Sequence, residues 1–330
     1  MATRANRPPV LLLLGPTASG KTALACHLVD ALAGEFGIEL VSVDSALVYR
    51  DLNIGTAKPD AAILARYPHH LIDLIAPTQA YSAADFRRDA LAVIGDIHGR
   101  SNIALLVGGT MMYVKALLDG LSALPASDPA IRAEIEDQAH SLGWPAMHAR
   151  LAQIDAATAA RLSPNDSQRI QRALEVYRIT GRPLSELQNR RAMASDDDAS
   201  NPFPYATAGI ALLPSVRSSL HERIAQRLDA MLVAGFVDEL RGLRSRYALH
   251  ADLPSMRTVG YRQIWNYLEG QISETQMRDQ AVAATRQLAK RQLTWLRSMP
   301  NVEGFDCLDN ATTSAVTDRL RRHLLGAPKA

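Results

Sequence analysis

Short apolar runs recur along the first third of the chain and once more beyond its middle. Three of them occupy Val10–Leu14, Glu39–Val43 and Ile103–Val107, each bounded by turn-forming or polar residues. Strands that are covered on both faces of a parallel sheet have this continuous apolar character, whereas half-exposed strands alternate. We therefore predict three buried parallel strands, with a fourth candidate at Ala206–Leu213.

Helical patterns separate the first three runs. One spans residues 22–32 and another spans 82–98, where Ser82 followed by Asp85 resembles a capping box. Strands that alternate with helices form βαβ units, so the pattern predicts an α/β fold with a doubly wound, mostly parallel sheet. The last third of the chain is predicted to be helical at 215–234, 256–268 and 274–297.

The middle of the chain has helical periodicity but no clear strand between residues 128 and 191. It ends in a Ser-, Asp-, Asn- and Pro-rich segment at 195–204, which has the composition of a linker. Because strand character then returns, we predict a helical insertion domain at 123–202. The core domain is predicted to comprise residues 1–122 and 203–330.

Composition narrows the class of protein without naming a partner. The chain has 330 residues, 47% of them hydrophobic and 21% charged, as expected of a packed globular protein. The net charge of +2 gives no argument for nucleic acid from total charge alone. Two distant cysteines favour a reducing, cytoplasmic location, and no apolar run is long enough to predict a membrane span or a targeting segment.

The strongest motif is GPTASGKT, which satisfies the P-loop pattern G-x-x-x-x-G-K-[ST] in full. It follows a predicted strand and opens a predicted helix, where backbone N–H groups can cradle phosphate oxygens. Lys21 adds a positive charge, and the Thr22 hydroxyl is a candidate ligand of Mg²⁺. The alternative is a glycine-rich turn without a ligand. The predicted phosphate-binding residues are Gly15, Pro16, Thr17, Ala18, Ser19, Gly20, Lys21 and Thr22.

The strand ends differ from those of a conventional nucleotide hydrolase. The third strand ends in Gly108, Gly109 and Thr110 instead of the usual Mg²⁺-directing aspartate, and the acid follows the second strand as Asp44. Parallel strands end at one edge of the sheet, so Asp44, Thr110 and the P-loop are expected to converge there. Asp44 could instead cap a turn, and Thr110 could be a helix N-cap.

Three acid-poor basic stripes are the only local argument for RNA. Their cations can pair with backbone phosphates, although a solvated helix face is the usual role of such a run. The stripes consist of Arg169 and Arg172; Arg257 and Arg262 beside Tyr261; and Arg286, Lys290, Arg291 and Arg297.

Two other features carry less information. His69 and His70 lack a third ligand at a useful spacing, so no metal site is predicted there. Trp265 and Trp295 lie in apolar helical patterns and are predicted to be core residues.

A series of segments resembles bacterial tRNA dimethylallyltransferases, also called tRNA isopentenyltransferases. In chain order they are GPTASGKT, VSVDSALVYR, NIGTAKP, HHLID, YSAADF, VGGTMMY, PNDSQRIQRALEVYRITGRP, HERIAQRLDAML, RTVGYRQIW and TRQLAKRQLTWLR. The resemblance runs from about Val10 to Arg297. It implies transfer of a dimethylallyl group from dimethylallyl diphosphate to N6 of the adenosine 3′ to the anticodon, by a monomer.

The resemblance also implies roles for individual residues. The P-loop would hold the diphosphate with Mg²⁺ near Thr22, Asp44 would be the general base beside the Thr110 hydroxyl, and Arg223 would grip the diphosphate. Many members carry Gln where this chain has Leu47. The implied contacts with the tRNA anticodon stem-loop are Asp44, Ser45, Ala46, Leu47, Thr110, Arg132, Gln168, Arg169, Ile170, Gln171, Arg172, Arg257, Thr258, Val259, Gly260, Tyr261, Arg262, Lys290, Arg291, Gln292, Leu293, Thr294, Trp295, Leu296 and Arg297.

Two other functions remain open on the sequence. A small-molecule kinase would use the P-loop for ATP and would turn ATP over without RNA. An RNA-binding module with a vestigial P-loop would bind a stem-loop and release no diphosphate. The intact Lys21–Thr22 pair argues against the second, and the order of the motifs favours the transferase.

Overall fold

The structure is a computed structural model that describes residues 8–121, 124–125, 127–193 and 203–326, with the side chains of 189–193 left out. The chain divides into two compact units. The first contains the residues up to Leu118 and those from Phe203 onward, and the second contains the residues between them. The predicted boundary at 122/123 therefore lies four residues beyond the observed one at 118/119, while the second boundary lies at 202/203.

The first unit contains a six-stranded sheet in which all neighbours are parallel, in the order β3-β2-β4-β1-β5-β6. The α/β prediction is confirmed, and so are the four predicted strands. The strands are β1 (Val10–Leu14), β2 (Ile38–Val43), β3 (His69–His70), β4 (Ile103–Gly108), β5 (Thr207–Leu213) and β6 (Val302–Asp306).

The two edge strands were not predicted, for physical reasons. β3 has only two residues, and both are histidines. β6 has the sequence VEGFD and its burial is partial, so it lacks the continuous apolar run of a covered strand. A strand at an edge needs neither length nor continuous burial.

Helices surround the sheet and form all the regular structure described in the second unit. They are α1 (Lys21–Leu32), α2 (Ala61–Arg66), α3 (Ala83–Gly99), α4 (Met111–Asp119), α5 (Pro129–Leu142), α6 (Trp144–Ile154), α7 (Ala156–Ala159), α8 (Ser167–Thr180), α9 (Leu184–Met193), α10 (Arg217–Val233), α11 (Phe236–Arg246), α12 (Tyr261–Leu268), α13 (Glu274–Ser298) and α14 (Thr312–Leu324).

Both faces of the sheet are buried, which explains the uninterrupted apolar run of β1. Leu12 and Leu14 face one cluster that includes Phe86 of α3. Leu11 and Leu13 face the opposite cluster. Alternate side chains of one strand therefore contribute to two cores, as expected when helices cover a parallel sheet on both sides.

Two helix starts are defined by their caps, and the first of them confirms the predicted capping box. Ser82 and Asp85 form a reciprocal capping box at the start of α3. Asp128 caps α5 by accepting hydrogen bonds from Ala130 N and Ile131 N. The predicted helix at 256–268 begins later, at Tyr261, because Gly260 adopts a φ of 94° that a helix does not allow.

The second unit has its own core, formed by residues such as Ile135, Leu151 and Ile170. In its described part the only regular elements are helices, as the sequence predicts. Most of the predicted linker at 195–204 lies outside the described residues. Over the described part of the chain, no helix combines the length and the apolar character needed to cross a membrane.

Candidate active site

A cavity of about 620 Å³ opens at the carboxyl edge of the sheet, within the first unit. This volume is typical of a small-molecule site. The P-loop after β1, Asp44 after β2 and Thr110 after β4 all line it. Parallel strands end at a common edge, so the predicted convergence of these three segments is observed.

The P-loop has the backbone conformation that an anion cradle requires. Gly20 has a φ of 85° and immediately precedes α1. A left-handed residue at this point is far less costly for glycine than for other residues, and it lets successive N–H groups point into the loop. Lys21 lies across the loop, and its Nζ donates to the Pro16 carbonyl at 2.6 Å. The loop is therefore closed on its own lysine and presents the helix N-terminus to the cavity.

Three charged side chains share this edge of the cavity. Burial lowers the pKa of Lys21 to about 8, with Asp44 acting in the opposite direction and Arg227 in the same direction. Burial also lowers the pKa of the Arg227 guanidinium, and Asp44 again opposes the shift. Two desolvated cations beside one carboxylate make a site that favours an added anion, because each cation is stabilised by negative charge.

Asp44 serves the local fold with only one of its oxygens. Its Oδ1 accepts a hydrogen bond from Ala46 N at 2.8 Å, which is the turn-capping role considered for it. Within the described residues, the other carboxylate oxygen makes no hydrogen bond. Thr110 Oγ1 accepts from Ser45 N at 3.0 Å, so Thr110 fixes the residue next to Asp44. Asp44 is thus held in place with one oxygen available to a ligand.

The cavity arginine differs from the one that the resemblance implied. Arg223 is exposed, its guanidinium donates to the Cys307 carbonyl at 3.3 Å, and it is not among the residues that line the cavity. Arg227, one turn further along α10, does line the cavity, together with Ile224 and Met231. HERIAQR contains two arginines one turn apart, and the sequence alone does not show how the helix is rotated against the sheet.

A carboxylate in α11 holds another wall of the cavity. Glu239 accepts hydrogen bonds from the backbone N–H groups of Asn53, Ile54 and Gly55 at 2.9, 2.6 and 3.2 Å. It also accepts from Tyr261 Oη at 2.5 Å. Residues 55–57 and 257–260 both line the cavity, so one side chain braces two of its loops. Neither motif order nor charge pattern singled out Glu239.

The residues implied for tRNA contact fall into different environments. Five of them have buried side chains, which offer no surface to RNA. These are Ile170, Gln171, Tyr261, Leu293 and Leu296. A larger group lines the cavity in the first unit and includes Asp44, Ser45, Ala46, Leu47, Thr110, Arg257, Thr258, Val259, Gly260, Arg291, Gln292 and Trp295.

The two tryptophans that were predicted to be core residues also differ. Trp265 is 9% exposed, which confirms its predicted place in the core. Trp295 is 38% exposed and lines the cavity, so the prediction that it is a core residue was wrong. The exposed Met112, on α4, lines the same cavity. An exposed indole at a cavity mouth can stack on an unpaired base.

The basic stripe of α13 is the clearest anion-binding surface in the first unit. Arg286, Lys290, Arg291 and Arg297 are exposed, and within the described residues none of them forms an ion pair. Arg257, by contrast, pairs with Asp252 at 3.4 Å. Cations that are not neutralised within the protein remain available to phosphates.

The basic residues of the second unit have internal partners. Glu175 is fully buried and accepts from Arg172 at 2.7 Å, from Ser127 Oγ and from Asp128 N. Arg132 lies 3.3 Å from the same carboxylate. Arg172 and Arg132 therefore stabilise a buried acid, whereas Arg169 is 73% exposed with Asp166 as its partner.

The two histidines of β3 do not form a metal centre in the described structure. His70 Nε2 lies 2.8 Å from Glu39, which also receives both arms of Arg100. These contacts hold the pKa of Glu39 down at about 2, chiefly through Arg100. Over the described residues, no group of three His, Cys, Asp or Glu side chains is placed to bind a metal ion.

Comparison with known proteins agrees with this geometry. The family model for IPP transferase matches residues 47–299. The tRNA dimethylallyltransferase of Aromatoleum aromaticum is 58% identical over 322 residues, covering 96% of this chain and 97% of that protein. The tRNA dimethylallyltransferase of Paraburkholderia phymatum is 56% identical over 318 residues, covering 96% and 98%.

Solved structures give the same result for the fold. The full-length tRNA isopentenylpyrophosphate transferase of Bacillus halodurans is 33% identical, with a TM-score of 0.68 over 97% of this chain and 98% of that one. A eukaryotic dimethylallyltransferase acting on tRNA, at 24% identity, shares the fold with a TM-score of 0.77 over 97% of this chain and 80% of that one. With the P-loop, Asp44 and Thr110 at one edge of the sheet, the chain belongs to the IPP transferase family.

Proposed function

We propose that this protein is a tRNA dimethylallyltransferase. It transfers the dimethylallyl group from dimethylallyl diphosphate to N6 of the adenosine 3′ to the anticodon and releases diphosphate. The observation that carries the proposal is the cavity itself, in which a P-loop, two desolvated cations and one carboxylate are combined. The named relatives, at 56–58% identity, support it.

The leaving group determines what the cations do. As the allylic carbon–oxygen bond breaks, negative charge builds on the diphosphate, and the P-loop N–H groups, Lys21 and Arg227 stabilise it. Lys21 first exchanges its Pro16 carbonyl for a phosphate oxygen. Burial has already desolvated both cations before the donor binds, so less water has to reorganise around them as charge develops.

Asp44 is proposed to act as the general base. The neutral exocyclic amine of adenine attacks the allylic carbon, and its nitrogen becomes acidic as the new bond forms. Asp44 has one oxygen outside its turn, lines the cavity and accepts this proton. Thr110 acts on the neighbouring backbone through Ser45 and keeps the carboxylate at the edge of the sheet.

Mg²⁺ is the proposed cofactor. The Thr22 hydroxyl is a hard oxygen donor that lines the cavity directly after the P-loop lysine, and P-loop proteins hold Mg²⁺ with such a hydroxyl together with substrate phosphates. The residues present therefore fit the ion. When bound, it would supply further stabilisation of charge on the diphosphate.

RNA is proposed to reach the cavity across α13. Its four unpaired cations suit backbone phosphates, and Arg291 and Trp295 place this helix at the cavity wall. A base inside a stack cannot reach Asp44, so the target adenine must flip out. RNA contact by the helical insertion, the monomeric state and a cytoplasmic location stay predictions.

The experiment that tests the proposal follows diphosphate release from dimethylallyl diphosphate, with an anticodon stem-loop present or absent and with ATP in parallel. Release that requires the stem-loop, with no turnover of ATP, is the expected result. Turnover of ATP without RNA would favour the kinase. Binding of the stem-loop without any release would favour an RNA-binding module.

A further inference from the structure

We propose that Gln292 is a positioning residue of the diphosphate loop and not an RNA contact. This inference rests on the proposed function, since it concerns the donor half of the same site. Gln292 lies on α13 between Arg291 and Leu293, in the stretch that the family resemblance assigns to tRNA. The geometry around its amide gives it a different task.

Both ends of the Gln292 amide are used inside the protein. Its Oε1 accepts a hydrogen bond from Thr17 N, in the first limb of the P-loop, at 2.9 Å. Its Nε2 donates to the carbonyl oxygen of Gly109, after β4, at 2.8 Å. One planar amide therefore bridges the ends of β1 and β4, which are neighbouring strands. These two bonds fix the orientation of the amide within the protein.

The backbone is shaped to admit this side chain. A Cβ atom at Gly109 would lie only 2.4 Å from Gln292 Nε2, so a residue other than glycine would displace the amide. The same segment is tied to β2, because Gly109 N and Thr110 N both donate to the Val43 carbonyl. The bridge thus extends from the P-loop, through Gly109, to the strand that ends beside Asp44.

Packing holds Gln292 at this point. Ala289 and Leu293, on either side of it along α13, are buried in a cluster with Leu220 and Ile224 of α10. Ala18 of the P-loop packs against the same cluster. Lys290, two residues earlier on α13, is exposed and is not among the residues that line the cavity. Gln292 and Lys290 therefore lie in different environments on the same helix.

The experiment compares two neighbouring substitutions in the full-length protein. Gln292→Met keeps the length of the side chain and removes both hydrogen bonds, and Lys290→Met removes an exposed charge from the same helix. The affinity for dimethylallyl diphosphate without RNA is measured by calorimetry, and the affinity for an anticodon stem-loop is measured separately. Thermal melting reports the integrity of each fold.

The two substitutions are expected to affect different ligands. Gln292→Met should weaken donor binding at least about fivefold, because two polar groups of the site lose their partners, while RNA affinity is unchanged. Lys290→Met should weaken RNA binding and leave donor binding alone. The reverse pattern for Gln292→Met, or donor binding equal to that of the wild type, would overturn the inference.

Two further results separate the possible failures. If the wild-type protein does not bind dimethylallyl diphosphate, the proposed function fails along with the inference. If Gln292→Met does not fold, Gln292→Asn replaces it, since the shorter amide stays polar but is one methylene too short to reach both Thr17 N and the Gly109 carbonyl. Weakened donor binding with intact RNA binding is again expected, and unchanged donor binding would contradict the inference.

Discussion

Three charged side chains that line one cavity take part in the proposed reaction: Asp44, Lys21 and Arg227. Burial disfavours the charged form of each cation, and a bound anion would stabilise that form. An anionic donor therefore fits this site. The Asp44 carboxylate interacts electrostatically with both cations and offsets part of their positive charge when the site is empty. The same carboxylate is then in place to accept a proton once the donor is bound.

The role of Asp44 can be separated from its turn. Asp44→Asn keeps an oxygen for Ala46 N and cannot accept a proton, whereas Asp44→Ala loses both functions. Both variants should lower turnover by about 10²-fold or more, with RNA affinity nearly intact. Single-turnover rates and RNA binding curves provide the check. An Asn variant with the wild-type rate would show that Asp44 only supports the fold.

The pKa of Lys21, about 8, predicts a pH dependence of donor capture. The pKa is lowered by burial, so the free enzyme keeps the lysine charged below about pH 8 and loses the charge as pH rises through that value. We expect kcat/KM for dimethylallyl diphosphate to fall above about pH 8, and kcat to fall only at higher pH, because bound diphosphate favours the charged lysine. The pH dependence of kcat/KM, measured for the wild type and for Lys21→Met, tests this. If the fall above about pH 8 persists in the variant, Lys21 is not the group that causes it.

Arg227 and Arg223 form a matched pair one helical turn apart. Arg227 lines the cavity, whereas Arg223 is exposed against the Cys307 carbonyl. Arg227→Gln should raise KM for the donor by about tenfold or more, since a hydrogen bond to a charged group is lost. Arg223→Gln should change it by less than about twofold. Equal effects of the two substitutions in steady-state kinetics would contradict this assignment.

At the scale of elements, α11 shows how a helix outside the sequence motifs shapes the site. Glu239 gathers three backbone N–H groups of the 53–55 loop, and Tyr261 reaches the same carboxylate. The carboxylate replaces the hydrogen bonds that a regular strand or helix would supply to this loop. The wall of the cavity therefore depends on a helix that starts directly after Gly235, where α10 has just ended.

Glu239→Gln tests the brace. The amide of glutamine turns one acceptor into a donor that faces backbone N–H groups, so the amide protons of Asn53, Ile54 and Gly55 should exchange with solvent faster. Asp238→Asn is the control, because Asp238 is exposed and pairs only with Arg241. Hydrogen exchange measured for both variants decides the matter. Protection of the loop that survives in Glu239→Gln would show that other contacts hold it.

The elements also show which predictions a sequence supports. The four inner strands were predictable because both of their faces are buried, and the P-loop, Asp44 and Thr110 were predictable because each lies next to a strand end. The rotation of α10 and α13 against the sheet was not, since both helices carry polar residues on more than one face. Arg227 and Trp295 depend on that rotation: Arg227 was missed, and Trp295 was predicted to be a core residue. The internal hydrogen bonds of Gln292 depend on the same rotation and were not anticipated.

At the scale of the whole molecule, the charges are distributed unevenly between the two units. In the second unit, Arg172 and Arg132 form ion pairs with the buried Glu175. The first unit leaves the stripe on α13 without ion pairs in its described part and sets it beside the cavity. A net charge of +2 conceals this arrangement, because paired and unpaired arginines count equally in the total.

The central claim is that the cavity joins a dimethylallyl group to the exocyclic amine of an adenine. The most direct test incubates the protein with radiolabelled dimethylallyl diphosphate and two anticodon stem-loops. One carries adenosine 3′ to the anticodon, and the other carries purine riboside there, which lacks the amine. Label is expected on the first RNA and not on the second. Equal labelling of both, or of neither, would contradict the claim.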